Sequence, residues 1–155
     1  MRYTAMLAAA GATLLAGNSA VAQESRTVLT YETAAKVRDG CVAWATEREL
    51  EVSIAVYDDA GRLITSAHLD GTATAIAEVA KWKGLSAATY RFPSAATANW
   101  GGPGPMMANW GGGVPFVATD GTPLGGVGVS GAQTQEDIDC GLAGIAAAGL
   151  TPGNM

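Results

Sequence analysis

The residues able to do chemistry are few and lie far apart. His68 is the only histidine and stands two positions before Asp70. An imidazole beside a carboxylate can move a proton near neutral pH, and an imidazole can also ligate haem iron. The plainer alternative is a polar residue at a strand end, bonded to a carboxylate. Lys83 offers a cation for a developing oxyanion. Tyr57, Tyr90, Met106 and Met107 are further axial candidates for a haem iron. Cys41 and Cys140 are the only cysteines, and they allow either one disulfide or two buried free thiols. With one histidine and no C-x-x-C they build no metal site on their own, and the lack of C-x-x-C-H excludes covalent c-type haem.

Two glycine motifs fail on context. Gly126-Val127-Gly128-Val129-Ser130-Gly131 matches G-x-G-x-x-G before a helix. A dinucleotide fold needs a following strand with an acid, and the short tail after Gly131 shows no strand pattern. Gly128 to Ala132 lacks the last glycine of G-x-S-x-G, and His68 precedes Ser130, against the hydrolase order. What remains is an arm almost without side chains at Gly125, Gly126 and Gly128. Such an arm marks the close approach of a helix, a neighbouring subunit or a ligand.

From Arg91 to Gly113 no periodic pattern holds. Asn99-Trp100-Gly101-Gly102 recurs as Asn109-Trp110-Gly111-Gly112, with Met106-Met107 between. Leaving so much apolar surface in water is costly, so the loop is expected to cover a pocket or a subunit interface.

These groups need elements to hold them. Thr30 caps a helix over about 31–49, with Ala34, Val37, Cys41, Trp44 and Ala45 on one face. Val52 to Tyr57 alternates as a strand, Asp58-Asp59-Ala60-Gly61 turns, and residues 62–68 return antiparallel. Thr72 or Thr74 caps a helix over about 73–90 with a stripe of small residues. Residues 114–118 and 124–129 form a second hairpin around Asp120-Gly121. A last helix begins near Gln133 and stops before Gly149. Strand pairs interleaved with helices predict an α+β domain: one antiparallel sheet of about four to five strands with flanking helices.

Residues 1–22 read as a secretory leader. Arg2 precedes an apolar run from Ala5 to Ala16, and Ala20-Val21-Ala22 is a small-x-small cleavage signal. The expectation is one exported domain over 23–155, periplasmic or secreted. The net charge is −5 with no basic block, which argues against nucleic acid as a partner. No segment reaches the roughly 20 apolar residues of a spanning helix, so membrane insertion is not expected.

The chain resembles the GlcG/HbpS family of haem-binding and suggested haem-degrading proteins, which includes the C-terminal domain of PduO-type proteins. The resemblance lies in Val52 to Gly61, Asp70-Gly71, Lys83 to Ala87, and above all Gly112-Gly113-Val114-Pro115 through Gly131 with Glu136-Asp137. It implies profilin-like layering, homo-oligomers, and haem as the ligand. The coincidence of the bare glycine arm with the apolar loop gives the expected pocket, lined by Trp100, Met106, Trp110, Gly112, Gly113 and Pro115, by the glycine arm and by His68 and Asp70, with His68 as a candidate iron ligand. His68-Leu69 stands where the family usually shows Arg-Met. That departure motivates a second reading, a cofactor-independent lyase or isomerase. There Trp100 and Trp110 would stack a small, aromatic substrate, His68 would transfer the proton with Asp70 orienting it, and Lys83 would hold an oxyanion. A third reading is a structural, oligomer-forming protein without a ligand.

Overall fold

A computed structural model describes residues 25–102 and 104–154. The expected leader and its cleavage signal lie outside them. Helix α1 (Tyr31–Thr46) opens at Thr30, whose hydroxyl accepts the Thr33 N–H at 3.2 Å. It buries Ala34, Val37, Cys41 and Ala45 at three- and four-residue spacing. It ends three residues earlier than expected, in a turn that leaves Glu49 in the left-handed region at φ 54°.

Strands β1 (Ser53–Asp58) and β2 (Leu63–His68) form the first hairpin. Its turn rests on Asp58, whose carboxylate accepts the N–H groups of Ala60 and Arg62 and pairs with the Arg62 guanidinium. Helix α2 (Ile76–Tyr90) begins later than expected and without a side-chain cap, because the Thr72 hydroxyl donates to the Val52 carbonyl instead. A short helix α3 (Ser94–Thr97) interrupts the long loop. Strands β3 (Gly113–Val117) and β4 (Pro123–Ser130) make the second hairpin. Helix α4 (Thr134–Ala147) follows, its start fixed by the Glu136 carboxylate accepting the Gln133 N–H at 3.0 Å. A two-residue strand β5 (Thr151–Pro152), which the tail's sequence does not announce, pairs with β3.

The single antiparallel sheet has the order β2-β1-β4-β3-β5. One face carries Ile54, Val56, Val114, Phe116, Val127 and Val129, packed with α1 and α4 into the main core. The Cys41–Cys140 disulfide joins those two helices, with Cα atoms 4.7 Å apart. The other face meets α2 with Ala55, Gly126 and Gly128 and with the ring of Tyr57. Ala55 pairs with Gly128 and Tyr57 with Gly126. A methyl group at Gly84 of α2 would stand 2.8 Å from the Gly128 nitrogen and 2.9 Å from the Ala55 oxygen. The close neighbour of the bare arm is therefore helix α2, which fills the space beside Gly126 and Gly128 where a ligand or subunit was expected.

Candidate functional site

Hydroxyls fasten the loop after α2, to itself at Ser94 and Thr97 of α3 and to α2 at Tyr90. Ser94 donates to the Trp110 carbonyl at 2.5 Å and accepts the Gly113 N–H at 2.8 Å. Thr97 bonds the carbonyls of Ser94 and Ala108. Tyr90 donates to the Pro105 carbonyl at 2.7 Å. Pinned in this way, the loop sets its aromatic rings edge-on against others. Trp100 meets Phe92 at 5.3 Å and Tyr90 at 5.7 Å between centroids, and Trp110 meets Trp82 at 6.1 Å. The rings are held but not covered. Trp110 is 60% exposed, Met106 52%, Trp100 46% and Phe92 39%. A cleft of about 340 Å³ opens on the same loop, lined by Trp82, Thr97, Met107 and Asn109 and not by the exposed rings themselves. Rings held at one edge and open on a face suit a flat apolar partner, whose burial releases water from both surfaces.

Lys83 lies elsewhere in the arrangement. Its Nζ donates to the Asp137 carboxylate at 2.8 Å, to the Val129 carbonyl at 3.0 Å and to the Ser130 hydroxyl at 3.2 Å. An ammonium has three protons and all three have acceptors, so none is left for a substrate oxyanion. Asp137 also accepts the Ala132 N–H. Burial pushes the Asp137 carboxyl above its ordinary range, and the hydrogen bond from Lys83 only partly offsets this. Gly112 permits the arrangement, since a methyl group there would stand 2.9 Å from both Lys83 Nζ and Asp137 Cβ. Gly113 packs its backbone against that of Lys83 and bonds Ser94.

His68 ends the edge strand β2, opposite Ser53. Its Nδ1 lies 2.6 Å from the Ser53 hydroxyl and its Nε2 lies 3.1 Å from the Thr72 carbonyl. A carbonyl only accepts, so Nε2 carries the proton and, in the neutral ring, Nδ1 accepts from Ser53. Both nitrogens are thus engaged, and neither bonds Asp70, which lines a separate shallow cleft with Glu49 and Leu50. The structure does not bring His68, Asp70 and Lys83 into one catalytic set. It does bring Trp100, Met106 and Trp110 onto one exposed loop. Pro115 and Gly125 line a different cleft, at the far end of β4.

Several partners of these groups are not among the residues expected from the sequence. Trp82 pairs with Trp110, Phe92 and Tyr90 flank Trp100, and Asp137 completes the buried ion pair. For Trp82 a signal was present, beside the small-residue stripe on α2. For Asp137 as a partner of Lys83 there was none, because an acid in the first turn of a helix is already explained by the dipole.

Comparison with known proteins follows this geometry. The family model described as "Haem degrading protein HbpS-like" matches residues 29–146. A solved structure of HbpS is 30% identical, with a TM-score of 0.74 over 81% of this chain and 93% of its own. A double mutant of HbpS from Streptomyces reticuli is 28% identical, with a TM-score of 0.73 over 94% of this chain and 97% of its own. A complex of PduOC with haem shares the fold at 20% identity, with a TM-score of 0.73 over 81% of this chain and 98% of its own. A search of curated protein sequences returned no match. On the extent of the family match and the shared five-stranded fold, the chain belongs to the HbpS-like family.

Proposed function

We propose that this protein is an exported haem-binding protein whose ligand sits on the aromatic loop. One observation carries the reading: Trp100 and Trp110 have hydrogen-bonded backbones and Met106 follows the bonded Pro105, yet all three stand about half exposed. Exposed aromatic and thioether groups gathered on one loop mark a surface awaiting a partner. The residues there fit the group. Indole faces suit a porphyrin plane, and a thioether is a known kind of iron ligand. Trp100 and Trp110 would hold the macrocycle. Met106 would be the protein ligand in place of His68, whose nitrogens are already bonded. When bound, haem would supply redox chemistry at iron; the chain's own part is to bind it and shield it from water. Membership of a family named for haem degradation, and the fold shared with a haem complex of PduOC, support the reading. The Cys41–Cys140 disulfide supports export, since such bonds persist in oxidising compartments.

A haem titration followed at the Soret band tests the reading. Trp100→Ala/Trp110→Ala should weaken the response about tenfold or more, by analogy with aromatic truncations at binding surfaces, and His68→Ala should leave it unchanged. The same surface supports assembly with a second copy. Light scattering on the double variant separates the two, since dissociation marks an interface and an intact assembly marks a pocket.

A further inference from the structure

A second cleft, about 510 Å³, opens at the Pro123 end of β4, the end opposite Ser130. Pro115, Pro123 and Pro152 give it apolar walls, and Arg91 and Asn154 are the lining residues with polar side chains. Among the described residues no acidic side chain lines it. Among the described residues every other lysine and arginine is paired with a carboxylate, and Arg91 alone is not. This is notable in a chain with 14 acids and 9 bases, where acids to pair with are in surplus.

The backbone adds an independent observation. Arg91 is the C-cap of α2 and lies in the left-handed region, φ 60° and ψ 29°, its N–H donating to the Ala87 carbonyl. Glycine is the residue that position favours, because a Cβ is strained there. An arginine stands where glycine would relax the chain, and it lines the cleft. A cation at a helix C-terminus also gains from the dipole. That explanation alone needs no cleft, and it requires the substitution by glycine to loosen the fold.

We propose that this cleft binds a small organic carboxylate with an apolar body. The Arg91 guanidinium would take the carboxylate in a forked, charge-assisted contact, and the proline walls would take the hydrocarbon part. The volume lies within the ordinary range for small-molecule sites. The proposal is independent of the haem reading.

The test is an NMR titration of the disulfide-bonded chain with benzoate and with benzyl alcohol, its uncharged counterpart. Benzoate should shift the amides of Val117, Gly121, Gly125 and Gly153 saturably, and benzyl alcohol should bind about tenfold more weakly or worse. Arg91→Gly should lose benzoate by a similar factor while melting at or above the parent temperature. Arg91→Gln, which keeps a long side chain without the charge, should lose it equally. Haem is itself a dicarboxylate, so it is titrated into the same chains. An unchanged Soret response in Arg91→Gly assigns the cleft to a free carboxylate, and an equally weakened one assigns it to a haem propionate. The proposal is overturned if benzoate gives no saturable shift at millimolar concentration, if Arg91→Gly binds it as the parent does, or if Arg91→Gly melts well below the parent.

Discussion

Lys83 on α2 and Asp137 on α4 meet at 2.8 Å past the Ser130 end of β4, with side chains only 4% and 3% exposed. The helices belong to opposite faces of the sheet, so this one contact ties the two layers together at the sheet's end. Among the described residues it is the one ion pair buried on both sides.

Removing one partner leaves the other charge buried without compensation. Lys83→Met is expected to cost about 3–5 kcal/mol in urea unfolding, and Lys83→Met/Asp137→Leu to recover most of that loss. A single variant as stable as the parent would show that water reaches Asp137.

The contact between α2 and the glycine arm is set by backbone, which cannot give way as a flexible side chain can. Gly128→Ala would drive a methyl group into the Ala80 carbonyl and the Gly84 nitrogen. The expected cost is about 3 kcal/mol or more, at the upper end for overpacking. Gly121→Ala meets no atom within 4 Å but has φ 84°, and should cost only about 1 kcal/mol. Comparing the two melting curves separates crowding from backbone strain.

Asp58 should shape the acid limb of stability. Burial raises its carboxyl, but the Arg62 N–H, the Arg62 guanidinium and the Ala60 N–H together outweigh that and hold it below 3.8. A folded value below the unfolded one adds stability above the unfolded value, and that stability is lost as pH falls through the folded value. Asp58→Asn should therefore lose about 1–2 kcal/mol near neutral pH and flatten the fall in stability below about pH 4. Melting temperatures across the acid range check both parts.

The disulfide closes a separation of 99 residues between α1 and α4. Cys41→Ser/Cys140→Ser is expected to lower stability by about 2–5 kcal/mol, and reductant should lower the parent by the same amount. Equal melting with and without reductant would show that helix packing alone holds α1 on α4.

The fold was largely legible because its signals are local. Thr30 before a periodic apolar face, Asp58 to Gly61 between alternating runs, and Gly149 after the last helix each declare an element by themselves. The start of α2 was not, since the Thr72 hydroxyl turns to Val52, nor was the end of α1, which closes in a local turn where Leu50 N–H bonds the Ala45 carbonyl. The site was legible in part. Trp100, Met106 and Trp110 stand out by composition in a loop that should be polar. Their orientation depends on Ser94, Thr97 and Tyr90, three ordinary residues whose carbonyl partners lie about 11 to 16 positions away. Lys83 was visible as a cation but not as a buried one, because its partner lies 54 residues further on. The glycine arm showed that something approaches closely, and only the sheet order reveals that the approach is by α2.

The central claim is that the exposed aromatic loop binds haem, and a Soret titration of the purified chain tests it most directly. The account predicts a shifted Soret band that saturates with added haem at micromolar concentration, with parallel quenching of tryptophan fluorescence that is lost in Trp100→Ala/Trp110→Ala. A Soret band identical to that of free haem, with tryptophan emission unchanged throughout, would contradict it.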